Sequence, residues 1–319
     1  MASVVGQGTT FNLPNYAGEL FNISPTETPF LSAIGGLTGG KGVNAKEWEW
    51  QTATIRNTAA GDTALEGANA PTANNQTRTS VSNVVEIHHK AIEVSYTKQA
   101  ATQQLAGVNT DQTNPVTDEL AFQTNLELSA IAIDIEKSFL SGTYAKPADN
   151  ALPRKTRGIL SAITTNVNAA ADPATPRALS KAIVDETLAT MSANGAPLTQ
   201  DRTVLLMHPA TKVKVSNLYG TAPLAAAVQS RTVGGVNITD LVTDFGTFGI
   251  MTDRWFPLGQ IGIIDLSVCQ PVFLRIPGKG FLFVEPLAKV GSSDKYQIYG
   301  ECGLEYGPEV YHGLIKDLS

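Results

Sequence analysis

Four histidines, two cysteines and several paired carboxylates are the side chains of this sequence that could carry chemistry. His88 and His89 are adjacent on a strand-like run, so they point to opposite faces and cannot share a metal ion. His208 and His312 stand apart, and neither a His-x-x-x-His spacing nor a Gly-x-Ser-x-Gly elbow occurs. Cys269 and Cys302 sit in no metal or redox spacing and read as free thiols. Gly35 followed by Gly40-Lys41 matches most of a phosphate-binding loop. Gly42, however, stands where Ser or Thr would hold magnesium, and a strand follows where a helix N-terminus is required. This segment reads as a Gly-rich hinge. Asp134 with Glu136, and Asp185 with Glu186, read as solvated helix positions or subunit contacts. No catalytic set, cofactor site or metal site is expected.

Trp48 and Trp50 are the other conspicuous pair. In the strand-like run Val43 to Arg56 they share one face, while Glu47, Glu49 and Gln51 share the other. An aromatic pair on one strand face packs against a neighbour more often than it serves as a ligand platform. Residues 57–77 have no periodicity around Leu65-Glu66-Gly67 and Pro71, and a second β-rich run, Val81 to Thr97, follows. Two strands flanking a long tip predict an extended hairpin, and a loop of that length is usually functional. Its expected function is contact.

The first forty residues are rich in Gly, Pro, Asn and Thr, with apolar points at Phe11, Leu13, Tyr16, Leu20, Phe21 and Phe30. Such a segment cannot bury itself and needs another surface to lie on. The clearest helix opens at Asn114-Pro115, a cap with proline at the first helical position, and stops at Gly142. Leu120, Leu128, Ile131, Ile135 and Phe139 form one stripe, and Phe122, Leu126, Ile133 and Leu140 form another on nearly the opposite side. A helix of about 40 Å with two apolar faces belongs between two layers. Beyond a Pro-rich link the chain turns α/β. Ser180 caps a helix carrying Val184, Leu188 and Met191, and Arg202 to Met207 is an apolar strand. His208-Pro209 opens a short helix, strands between Val236 and Trp255 break at Asp244-Phe245-Gly246, and short strands fill Ile261 to Leu318.

Apolar residues make up 42% and charged residues 16%, against about 25% charged in average soluble domains. Few charges and many small residues favour surfaces that meet neighbours. A net charge of −6, with no basic run longer than Arg154-Lys155, argues against a charge-driven nucleic-acid binder. The N-terminus has no basic start or apolar core of a secretory signal, and no apolar run reaches the length of a membrane span.

The order of elements resembles the major capsid proteins of tailed bacteriophages, with their Hong Kong-type capsid fold. The resemblance rests on Ser24-Pro25-Thr26-Glu27-Thr28-Pro29-Phe30-Leu31, on the helix ending at Phe139-Leu140-Ser141-Gly142, and on Val204-Leu205-Leu206-Met207-His208-Pro209. Val242-Thr243-Asp244-Phe245-Gly246 with Asp253-Arg254, and the tail from Gly300 with Gly303-Leu304-Glu305 and His312-Gly313-Leu314-Ile315, complete it. It covers nearly the whole chain.

The resemblance implies an α+β capsid subunit. Residues 1–40 would be an N-terminal arm and 41–100 an extended β-hairpin loop. Residues 101–177 and 266–319 would form a peripheral domain with a long spine helix, and 178–265 an α/β axial domain. The implied function is structural: self-assembly into pentamers and hexamers of an icosahedral virion head enclosing double-stranded DNA, built in the host bacterial cytoplasm. Implied partners are further copies of the chain, a separate scaffolding protein, a portal, a decoration protein as an optional partner, and packaged DNA through weak non-specific contact, with no membrane. The assembly contacts expected are Phe11, Tyr16, Phe30, Trp48, Trp50, Leu65, Glu66 and Arg78. No lysine lies between Arg56 and Lys90, so the loop tip cannot supply one for self-crosslinking. The alternatives are an encapsulin-type nanocompartment shell, and an α/β hydrolase-like enzyme, which would need a convergent polar pocket.

Overall fold

The computed structural model describes residues 22–55, 63–70, 72, 75–100, 116, 118–199, 202–220 and 239–319. Helix α1 (Pro29–Ala33) leads to strands β1 (Lys41–Val43), β2 (Glu47–Ala53), β3 (Arg78–Val84) and β4 (Glu86–Ser95). Helices α2 (Tyr96–Ala100), α3 (Glu119–Ser141) and α4 (Ile159–Ala162) precede β5 (Val167–Asn168), α5 (Lys181–Ala193), β6 (Thr203–Met207) and α6 (Pro209–Gly220). The chain closes with β7 (Asp240–Thr243), β8 (Gly246–Thr252), β9 (Ile261–Asp265), β10 (Gln270–Leu274), β11 (Leu282–Pro286), β12 (Ser293–Glu305) and β13 (Gly313–Ile315). Among the described residues no helix is long and apolar enough to cross a membrane.

The chain divides into two units, and α3, β4 and β12 each run from one into the other. The first contains His89–Ile131 and Leu282–Tyr299. Ile92, Val94, Ile131 and Ile298 are its buried apolar residues. Much of its order is polar: Ser293 Oγ donates to Glu93 at 2.6 Å, Lys295 pairs with Glu93 at 3.1 Å, and Lys289 pairs with Asp294 at 2.8 Å.

The second unit contains Glu27–His88, Ala132–Phe281 and Gly300–Ser319. Its six-stranded sheet has the order β5-β13-β9-β6-β8-β7. β6 lies between β8, which is parallel to it, and antiparallel β9, with Leu205 opposite Ile250 and Ile263. Successive side chains Leu205, Leu206 and Met207, on opposite faces of the strand, are all buried, which is why Val204-Leu205-Leu206-Met207 needs no alternation. Val184, Leu188 and Met191 of α5 enter one core with Leu205, Met207, Phe248, Ile261 and Ile263. Ser180 takes the N-cap position of α5 with extended backbone, without a side-chain cap bond. Strands β5 and β13 come from outside residues 178–265, so this sheet also draws on the chain's last strand.

The described part of the long helix begins at Glu119. Asp118 Oδ1 caps it, accepting from Leu120 N at 2.9 Å and Ala121 N at 3.2 Å. The expected cap at Asn114-Pro115 lies outside the described residues. Ile131, Ile135 and Phe139 of one stripe and Leu140 of the other are buried, whereas Leu126 of the second stripe is 41% exposed. At the C-terminus Gly142 N donates to Ser138 O, and a Cβ on Gly158 would lie 2.5 Å from Gly142 N. Glycine at both positions lets the two chain segments touch backbone to backbone.

Candidate assembly surfaces

Strands β2 and β3 form a two-stranded ribbon in register from Glu47↔Val84 to Ala53↔Arg78. Period-two geometry puts Trp48 and Trp50 on one face, and the structure covers that face with this chain's own residues. Trp48 is 7% exposed and clusters with Val85 and Val272. It lies on Gly303 of β12, where a Cβ would come within 2.3 Å of the indole Cη2. Trp50 Nε1 donates to Gly307 O at 2.9 Å, and its ring meets Tyr306 edge-on at 5.0 Å. Trp48 and Trp50, expected as assembly contacts, thus pack within the subunit, where the closing strand brings a glycine and an aromatic beneath them. Gly303 inside a strand pattern was the available signal, since such a glycine marks close approach.

The root is fastened by polar residues that sequence reasoning did not single out. Asn83 is fully buried. Its amide donates to Leu304 O at 2.7 Å and Arg157 O at 3.2 Å, and its Oδ1 accepts from Arg157 N and Val84 N at 2.9 Å each. Arg154 Nε donates to Val85 O at 2.8 Å while its guanidinium pairs with Glu301. Lys146 Nζ holds both carboxylate oxygens of Glu47 at 2.6 Å. These partners come from loops and from β12, far along the chain, so no local pattern announces them.

Beyond the root the ribbon has little cover. Ile55 is 91% and Leu65 86% exposed, and Glu66 and Arg78 are exposed as well. Of the other expected contacts, Phe11 and Tyr16 lie outside the described residues. Phe30 is completely buried within the subunit, correcting its assignment as a surface contact. It anchors α1 to α3: Phe30 N–H donates to Glu136 Oε1 at 2.8 Å and Leu31 N–H to Oε2 at 2.6 Å. Glu136 is likewise fully buried, and the reading of it as a solvated helix position is overturned because α1 and Asp253 close over it. Glu27, two residues before α1, accepts from Trp255 Nε1 at 2.9 Å through its carbonyl and pairs with Arg254 at 3.6 Å.

His88 is buried and His89 exposed, as alternation requires. His312 is fully buried; its Nε2–H donates to Tyr306 O at 2.7 Å and its Nδ1 accepts from Asp265 N at 3.2 Å. Burial holds this imidazole below its ordinary pKa, hence neutral. Lys41, the last residue that matches the loop-like motif, starts a strand and pairs with Glu305 at 3.1 Å. Among the described residues no group of three or more His, Cys, Asp or Glu could hold a metal ion.

Both cysteines are free and buried. Burial pushes each thiol up, helped by Asp265 at Cys269 and by Glu86 and Glu301 at Cys302. The native protein should therefore resist iodoacetamide at about pH 8, whereas the denatured chain labels at both positions. Rapid stoichiometric labelling of native protein, read by mass spectrometry, would contradict this packing.

The model of the family described as SU10 major capsid protein matches residues 3–319. The major capsid protein of Escherichia phage Phieco32 is 23% identical over 350 aligned positions, covering 94% of this chain and 93% of that protein. Among solved structures, the capsid asymmetric unit of cyanophage A-1(L) superposes with a TM-score of 0.68 at 14% identity, over 96% of this chain and 97% of that one. The SrpI encapsulin of Synechococcus elongatus superposes with a TM-score of 0.53 at 10% identity, over 97% of this chain and 92% of that one. The fold is thus the capsid-subunit fold that the sequence resembles, and the phage likeness is the stronger. Its match from residue 3 to the last residue places the chain in the SU10 major capsid protein family.

Proposed function

We propose that this chain is the shell subunit of a tailed-phage head, assembling through pentamers and hexamers around double-stranded DNA and having no catalytic role. The hairpin carries this reading. Its root is tied down by Trp48, Asn83 and Lys146, while among the described residues beyond the root Ile55 and Leu65 are exposed. Large apolar residues left exposed by their own subunit gain burial from a partner. In this proposal residues 1–40 are the arm and 41–100 the loop reaching a neighbouring copy. Residues 101–177 and 266–319 make the peripheral domain, and 178–265 the axial domain. Assembly takes place in the host bacterial cytoplasm with a separate scaffolding protein, a portal and, where present, a decoration protein. DNA is met by weak non-specific contact.

The test is expression of the full chain with and without its scaffolding partner, followed by negative-stain microscopy and sedimentation. Head-sized shells formed with the scaffold are expected. Uniform small spheres formed without it, enclosing a cargo protein, would favour the encapsulin-type reading. A cooperative monomer at high concentration with no capsomers would remove both.

A further inference from the structure

The carboxyl of Glu136 takes the N–H groups of Phe30 and Leu31 on its two oxygens, and the neighbouring Asp253 carboxyl acts on it. Asp253 is as fully buried as Glu136. Its Oδ1 accepts from Trp255 N at 2.8 Å, and its Oδ2 is enclosed with no N–H or O–H donor among the described residues. Two carboxyl groups in contact and away from water cannot both be charged, so the contact between them requires a proton.

The surrounding charges do not substitute for that proton. On α3, Lys137 stands 4.3 Å over the Trp255 ring, and Asp134 acts on Glu86. In the turn after β8, Arg254 reaches Glu27, the charged residue preceding α1. Neither α1 nor β8 contains a titratable side chain, and His208, after the β6 residue that bonds Asp253 N, accepts from Ala210 N through Nδ1. Asp253 is the charged group acting on Glu136.

We propose that Glu136 and Asp253 form a one-proton latch that ties the segment carrying α1 to the long helix and releases it when the shared proton is lost. With the proton in place, Glu136 can face Asp253 and still accept from both backbone N–H groups. Without it, two buried anions repel, and relief comes by admitting water where α1 packs. Burial, followed by the hydrogen bond and charge of Asp253, pushes Glu136 up to about 8, which outweighs the lowering by the two N–H donors. A raised carboxyl contributes stability that is complete below about pH 4.5, declines above it, and is lost as pH passes about 8. The latch therefore opens in mildly alkaline solution. It is internal to one subunit and does not depend on what the arm contacts in a shell.

The test is amide hydrogen exchange on the full, unassembled chain at about pH 7 and about pH 9, corrected for the chemical exchange rate. Protection of the peptide holding Phe30 and Leu31 should fall about tenfold across that interval, following the protonated fraction. Peptides of α5 serve as the internal reference and should not change. In Asp253→Asn the amide Nδ2–H supplies the missing donor permanently and Oδ1 still accepts from Trp255 N, so protection should become independent of pH. Glu136→Gln keeps a single acceptor for two N–H groups, and protection should be low at both values. Unchanged protection in the native chain, an equal loss throughout α5, or an unaltered pH response in Asp253→Asn would each overturn the latch. If Asp253→Asn does not fold, the contrast between the two peptides of the native chain still decides.

Discussion

Replacing residues 54–77 by Asn-Gly should abolish shell formation while leaving the subunit folded. Ala53 and Arg78 are directly paired at the end of the ribbon, so a two-residue turn can join them without disturbing register. The truncation keeps Trp48, Trp50, Asn83 and the Lys146–Glu47 pair, which fasten the root. It removes Ile55, Leu65 and Glu66, whose side chains stand in solvent. Removing exposed side chains such as these should change its stability by no more than about 0.5 kcal/mol. The same residues account for the apolar burial proposed between copies, so particle yield should drop below detection by sedimentation and microscopy. Shells formed at the native yield would show that the loop is not a principal contact. Loss of the folded subunit would show that the tip belongs to its core.

The second large effect is expected at Trp48. Trp48→Ala should cost the unassembled subunit about 3–5 kcal/mol, because a large buried ring is removed above a glycine that cannot fill the space. Trp48→Phe should cost much less, since the indole Nε1 is enclosed without a hydrogen-bond partner among the described residues, so its loss forfeits no bond. Trp50→Phe should cost about 1 kcal/mol, keeping the edge contact with Tyr306 but giving up the bond to Gly307 O. Approached from the other side, Gly303→Ala should also destabilise, because its Cβ would sit 2.3 Å from Trp48 Cη2 and 2.9 Å from Val84 O. Chemical unfolding followed by tryptophan fluorescence measures all four. A loss under about 1 kcal/mol for Trp48→Ala would mean that this face is not packed as described and would return it to the list of intersubunit surfaces.

Much of the architecture was legible because it is written in local periods. The alternation of Trp48 and Trp50 against Glu49 and Gln51 is a property of any strand, and it survives whatever the strand packs on. The Ser180 helix with Val184, Leu188 and Met191, the apolar Val204 to Met207 run and the break before Gly246 likewise follow from spacing, caps and turn residues within a few positions. The exposure of Leu65 and Glu66 follows from a stretch with too few apolar residues to bury itself.

What the sequence could not decide is which face meets which. The Trp48 face is apolar in either reading; only tertiary structure brings Gly303 and Tyr306 beneath it and makes it part of the subunit. Glu136 lies near Asp134 on the helix and looks equally solvated, yet α1 and Asp253, distant in the chain, enclose Glu136 alone and turn a surface charge into a protonated contact. Strand β13 joins the six-stranded sheet through pairing with β9 and β5, partners set by long-range register rather than by its own three residues. Periodicity and capping act over a few residues and are read locally. Burial, pairing and proton affinity belong to the packed chain, because each depends on the groups that displace water from the same place.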